Sequence, residues 1–242
     1  MKIIDVSKHN GTINWAKVKA DGIDGAIIRA GYGRELSQKD PLFEQNYKGA
    51  SANGLHVGAY WYSYADNPAD ALKEANAFLA AIKGKSFDLP IYFDIEEQKH
   101  IKLGKEICTA MTEIFLNTLE NAGYYAGVYS FDSFYKTNLS TTIQDRYTCW
   151  VARVENIKPT SCKKYDIHQY SWKGKINGIN TDVDLNDCFK SFPSIIKNAG
   201  LNGFSKTSDL RSVTASIVNV PAAKANSIYS ACEQMGMNVK IS

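Results

Sequence analysis

Residues Leu89-Pro-Ile-Tyr-Phe-Asp-Ile-Glu-Glu97 form an apolar run that ends in carboxylates. A short apolar run of this kind, Pro90–Ile95, reads as a buried strand. Side chains alternate faces along a strand, so Asp94 and Glu96 point the same way, with Cα atoms roughly 6.5–7 Å apart. In a parallel barrel the chemistry sits at the C-terminal ends of the strands, which is where these two acids emerge. Acids this close do not ionise independently, and an ionised Asp94 raises the pKa of Glu96 and keeps it protonated. Cleavage of a glycosidic bond uses such a pair: an acid for the leaving oxygen and a carboxylate opposite the developing positive charge. A lone D-x-E is equally a solvated strand end, helped here by Glu97, so its surroundings decide.

Outward from this strand, short apolar runs alternate with helical patterns. The other strands are read at Lys2–Val6, Ala26–Ala30, His56–Tyr62, Tyr125–Tyr129, Thr148–Ala152, Asp166–Tyr170 and Val183–Leu185. Helices are read at Asn14–Ala20, Pro41–Asn53, Pro68–Lys83, Lys105–Asn121 and Pro193–Asn198. Their stop signals are Gly54, Gly84, Gly123 and Gly200. Strand, helix, strand in repetition implies parallel strands joined by crossovers. Eight strands in about 200 residues predict an irregular (β/α) barrel with fewer helices than strands. An open dinucleotide-binding sheet is disfavoured, because no Gly-rich phosphate loop follows the first strand.

The 242 residues are 44% hydrophobic, which suits a chain with a buried core. The net charge is +3 with scattered basic residues, so no nucleic-acid partner is expected. Aromatic residues make up 12%, including 14 tyrosines, side chains that pack in cores and also stack on sugars. Five cysteines without a C-x-x-C pair argue against a disulfide framework or a zinc site. No apolar run reaches bilayer length, so no membrane insertion is expected. The N-terminus lacks a signal-peptide pattern.

Asp5 closes the first strand and is either a turn-capping residue or a third carboxylate on the same barrel face. Asp182 and Asp184, in Thr181-Asp-Val-Asp-Leu-Asn186, share a face if this stretch is a strand, and they lack the calcium-loop spacing. The four histidines show no metal-protease spacing, and no serine sits in a nucleophile elbow.

In their order these segments resemble glycoside hydrolase family 25. The carriers are Ile4-Asp-Val-Ser7 with Gly11 and Trp15, Ala26-Ile-Ile-Arg-Ala-Gly-Tyr-Gly33, Gly58-Ala-Tyr-Trp-Tyr62, Pro90 to Glu96, Gly127-Val-Tyr-Ser130, Trp150-Val-Ala152, His168-Gln-Tyr170, and Gly174 to Asn186. The resemblance spans about residues 1–197. It implies a β/α barrel that cleaves the β-1,4 bond between N-acetylmuramic acid and N-acetylglucosamine of bacterial peptidoglycan, with no metal or organic cofactor. It implies Glu96 as general acid. It implies Asp94 as nucleophile or as the carboxylate that orients the substrate's acetamido group. Asp5 and Asp184 match cleft carboxylates, with Asp182 as the alternative. Tyr32, Tyr62 and Tyr129 match aromatic positions of the sugar groove, and Arg29, Trp150 and Gln169 are further substrate-binding positions. Where similar chains place an aromatic after Trp-Val-Ala, this one has Arg153-Val-Glu155, so the resemblance supplies no sugar contact on that rim. Two rival readings are a chitin-type glycosidase and an inactive carbohydrate-binding barrel.

The barrel is assigned residues 1–202, followed by a small, polar linker at 203–211 (GFSKTS at its start) and a tail at 212–242. The tail reads as a small βαβ module, with Pro221 opening its helix. A module this size is too small to be stable alone, and exposed strand edges invite pairing, so a homodimer through the tail is expected. The absent signal peptide fits a bacteriophage endolysin, made in the host cytoplasm and acting on the cell wall after release, with a bacterial autolysin as the rival origin.

Overall fold

The computed structural model describes residues 1–155 and 157–206, with residues 221, 224, 227, 228, 230 and 231 of the C-terminal stretch. The chain divides into two compact units, Met1–Thr207 and Ser208–Ser242. In the second, residues 224, 227, 228, 230 and 231 are helical, and the Lys224 N–H donates to the Pro221 carbonyl over 2.8 Å. The flanking strands expected there, and Cys232, lie outside the described residues.

The first unit is a closed barrel of eight strands in sequence order: β1 (Lys2–Val6), β2 (Gly25–Tyr32), β3 (His56–Tyr62), β4 (Ile91–Asp94), β5 (Ala126–Phe131), β6 (Thr148–Ala152), β7 (Tyr165–Gly174) and β8 (Val183–Cys188). Among the described residues of this unit there are seven α-helices: α1 (Trp15–Ala20), α2 (Phe43–Ala52), α3 (Pro68–Ile82), α4 (Gln98–Asn121), α5 (Asp132–Thr137), α6 (Thr141–Arg146) and α7 (Phe192–Ala199). The expected barrel with fewer helices than strands is therefore present. Local chemistry accounts for several helix starts. The side chains of Asn14 and Asn67 cap α1 and α3, and Pro68 occupies the first turn of α3.

One expectation needs correction. The strands are not all parallel: β8 runs antiparallel to both β7 and β1. Residues 175–182 join β7 to β8, which is too short a stretch for a crossover helix, so the chain must turn back. The consequence is functional. The start of β8, which carries Asp184, lies at the rim where the parallel strands end, and Asp184 pairs directly with Asp5.

The core has two layers. Ile3, Ile27, Leu89, Tyr92, Trp150 and Ile167 belong to a cluster that fills the barrel. Val57, Phe78, Phe93, Phe115 and Leu116 belong to one between the strands and the outer helices. Gly127 admits the Tyr92 ring, since a Cβ there would lie 2.5 Å from Tyr92 Cε1. The far end is closed by Asn202, fully buried. Its Nδ2 donates to the carbonyls of Phe87 and Leu89 over 3.1 and 2.9 Å, and its Oδ1 accepts from the Tyr125 N–H over 2.6 Å. Residues just past 202 pack here too: Phe204 lies against the barrel-filling cluster and the Gly203 carbonyl accepts from Ser86 Oγ over 3.0 Å.

Candidate active site

Strand register sets a row of side chains at the open rim. Tyr32 pairs with Tyr62, Tyr62 with Asp94, Asp94 with Tyr129, and Tyr129 with Trp150. In-register neighbours on parallel strands face the same way, so Asp94 is flanked by two tyrosines. Strand β4 ends at Asp94, but the Ile95 N–H still donates to the Tyr129 carbonyl over 3.1 Å. The ladder therefore continues one residue further and the alternation brings Glu96 back to the face of Asp94. Both line a cavity of about 310 Å³ together with Asp5, Arg29, Tyr60, Tyr62, Tyr129, Trp150, Gln169, Asp182 and Asp184.

A hydrogen-bond network holds this floor. Asp5 Oδ2 accepts from Gln169 Nε2 over 2.9 Å and from Asn186 Nδ2 over 2.8 Å, and Asp5 also shares a hydrogen bond with Asp184. Gln169 Oε1 accepts from the Tyr129 hydroxyl and from Trp172 Nε1, each over 2.8 Å. Asn186 Oδ1 accepts from Trp150 Nε1 over 2.7 Å. An indole N–H can only donate, so both amides have one permitted orientation. Glu96 in turn hydrogen-bonds the Tyr129 hydroxyl.

Burial among these rings disfavours charge on Asp5, Asp94, Glu96 and Asp184. It pushes Glu96 up to about 7, with the Asp5 charge adding to the effect and the Tyr129 hydrogen bond opposing it. It pushes Asp184 up to about 8, again with Asp5. Asp94 is raised well above the usual carboxylate range by burial, then by the Glu96 and Asp5 charges. Asp5 is raised by burial, against the hydrogen bonds from Asn186 and Gln169. The expected effect of an Asp94 charge on Glu96 is not what raises Glu96: burial and the Asp5 charge do, and it is the Glu96 charge that raises Asp94.

These shifts carry a stability prediction. Between the ordinary carboxyl range and pH 7–8 the folded state binds more protons than the unfolded one, so these groups make stability fall as pH rises through that window. Asp184→Asn and Glu96→Gln cannot ionise and remove that loss. Relative to wild type, each is expected to gain about 1–3 kcal/mol on going from pH 5 to pH 8. Urea unfolding at the two pH values measures it, and a difference that does not grow with pH contradicts the account.

A second cavity of about 420 Å³ adjoins the first through His9, Arg29 and Tyr62, and adds Lys8, Tyr32 and Tyr64. Tyr62 donates its hydroxyl to Glu97 Oε1 over 2.8 Å, and the Tyr62 and Tyr64 rings lie 5.2 Å apart. Glu74 of α3, fully buried, accepts from Ser63 Oγ and the Tyr64 N–H, both over 2.7 Å, and so fixes the turn that carries Tyr64. Arg29 is held by Asp40, with Nε to Oδ2 at 2.8 Å.

Nearly all the residues named from sequence meet in the first cavity. Tyr32 lies in the second one. Trp150 is only 1% exposed and forms the floor, with its N–H committed to Asn186. Asp182 precedes β8 and is ion-paired with Lys175 at the rim. Sequence reading missed Tyr60 and Asn186, although each lies two positions from a residue it did name and shares its face by alternation. Asp40 and Glu74 carried no such signal. Among the described residues no cluster of His, Cys, Asp or Glu has metal-site geometry, and no helix is long and apolar enough to cross a membrane. Cys108, Cys149, Cys162 and Cys188 are free and buried.

Comparison with known proteins gives matches in both sequence and fold. The model for glycosyl hydrolases family 25 matches residues 4–179. The autolytic lysozyme of Clostridium acetobutylicum is 33% identical over 189 residues, covering 77% of this chain and 55% of that protein. The chain thus spans little more than half of that relative's length. The crystal structure of the CTP1L endolysin superposes with a TM-score of 0.72 at 31% identity, covering 81% of this chain and 69% of the other. The modular autolysin LytC from Streptococcus pneumoniae, solved with a synthetic peptidoglycan ligand, gives a TM-score of 0.69 at 30% identity, over 76% of this chain and 46% of that one. With its barrel, its cluster of acids and a match that covers most of its length, the chain belongs to glycosyl hydrolases family 25.

Proposed function

We propose that this barrel hydrolyses the β-1,4 bond between N-acetylmuramic acid and N-acetylglucosamine of bacterial peptidoglycan. The observation that carries the reading is that Asp94 and Glu96 open into one cavity, with Glu96 titrating near neutrality. A carboxyl poised there holds a proton at working pH and can still release it. Glu96 donates that proton to the leaving glycosidic oxygen as the C1–O bond breaks. Asp94 faces the positive charge that develops on the ring, either attacking C1 itself or holding the acetamido N–H so that the substrate's own carbonyl oxygen attacks. Glu96, now ionised, takes a proton from water, and the water oxygen bonds to C1 as the bond from C1 to Asp94 or to the acetamido oxygen breaks. Asp5 and Asp184 line the same cavity as this pair.

Peptidoglycan is favoured as substrate by the similarity to an autolytic lysozyme and to an autolysin solved with a peptidoglycan ligand. The similarity to an endolysin supports a phage origin, with release onto the wall at lysis. The test compares turbidity loss of purified bacterial walls with cleavage of soluble chitin oligomers. Faster wall cleavage is expected. Faster chitin cleavage would reassign the substrate, and cleavage of neither would leave a binding barrel.

A further inference from the structure

Strand β7 carries an aromatic feature on the side of the barrel away from Tyr32 and Tyr62. Its pairing with β8 slips: Gln169 pairs with Asn186, while Ser171 pairs with the next residue along, Leu185. In an unbroken strand Gln169 and Trp172 would point to opposite faces. The extra residue reverses the alternation, as a bulge does, and Trp172 Nε1 donates to Gln169 Oε1 over 2.8 Å. The indole is thereby tied by its polar edge to a side chain of the cavity. Trp172 nevertheless remains 46% exposed. Phe131, at the end of β5, meets it edge-on with centroids 6.4 Å apart at 73°.

The closed strand order places β2–β3 opposite β6–β7. Asp5, Asp94 and Asp184 come from β1, β4 and β8, so the acids face each other across one axis and the two aromatic groups across the other. An indole whose N–H is already bonded offers its apolar face, and a ring fixed before binding loses little entropy when a ligand stacks on it.

We propose that Trp172, backed by Phe131, is a stacking platform for a pyranose ring of the glycan strand. It takes the sugar on the far side of the cleaved bond from the Tyr32, Tyr62 and Tyr64 wall. The proposal rests on the reading of the barrel as a glycan hydrolase. Its ligand class is an N-acetylated hexose within a β-1,4-linked chain.

The test uses solubilised peptidoglycan glycan strands and the full chain carrying Trp172→Ala or Trp172→Phe, each with a wild-type melting profile. Kinetics are measured on the active protein, and binding by calorimetry on the Glu96→Gln background. Trp172→Ala is expected to raise KM and Kd about tenfold, equivalent to about 1.4 kcal/mol, and to change kcat by no more than about twofold. Trp172→Phe, which keeps a flat face and loses the N–H, is expected to recover most of the binding. Unchanged KM and Kd in Trp172→Ala would overturn the platform while hydrolysis stood. Strand binding that depends on Trp172 in a chain that cleaves nothing would overturn hydrolysis and keep the platform. Absence of both binding and cleavage would end both.

Discussion

Glu96→Gln is expected to fold as the same barrel and to lose wall lysis, with kcat lowered about 10³-fold or more and KM little changed. Gln has the size of Glu and can still bond the Tyr129 hydroxyl, the one side chain that hydrogen-bonds Glu96 in the cavity. What it cannot do is supply a proton to the leaving oxygen or take one from water. Because burial makes the ionised form of Glu96 costly, the substitution also relieves the folded state at neutral pH, so loss of activity cannot be put down to loss of structure. Circular dichroism and wall turbidity measured together check both halves. A variant that is folded and retains near wild-type lysis removes Glu96 from the acid role.

Asp94→Asn is expected to lower kcat about 10²–10³-fold, the scale of removing one preorganised electrostatic partner of a transition state. Asp94 is 4% exposed, and its Oδ1 has no hydrogen-bond partner among the described residues. A buried acceptor left without a partner is costly unless a ligand meets it. That oxygen suits either an acetamido N–H or a charged C1. The two acids are coupled through the Glu96 charge, which raises Asp94. A folded Asp94→Asn variant with a full rate would show that Asp94 is not part of the reacting group.

Much of this was legible in the sequence, for physical reasons that can be named. Lys2–Val6, His56–Tyr62 and Thr148–Ala152 are strands to the residue as read, because each is apolar enough to be buried and ends at a polar residue, Ser7, Ser63 and Arg153. The shared face of Asp94 and Glu96 followed from a period of two. Other features depend on neighbours in space. The reversal of β8 depends on the length of the turn before it. Helix α4 reads as starting at Lys105, since Gly104 sits at φ 77 and interrupts the helical backbone, but helix resumes before it and reaches back to Gln98. Helices α5 and α6 have six residues each, too short for a clear helical period.

The site divides in the same way. Alternation within one strand put Asp94 with Glu96, and Asp182 with Asp184, on one face, whereas Tyr62 came from the family resemblance. The row that sets Asp94 between Tyr62 and Tyr129 is a matter of register between strands, which no single stretch encodes. The same holds for Trp172: a regular strand would aim it away from Gln169, and only the slip against β8 turns it back. Arg153, in the segment that departs from similar chains, is tied to Asp132 and to Thr160 Oγ1, so that side chain is committed to the rim's own structure.

Mass spectrometry of borohydride-reduced fragments from digested peptidoglycan tests the central claim most directly. If Glu96 and Asp94 cut where proposed, every new reducing end is an N-acetylmuramic acid and the stem peptides stay attached. New ends at N-acetylglucosamine, or stem peptides freed from the glycan, would contradict the account.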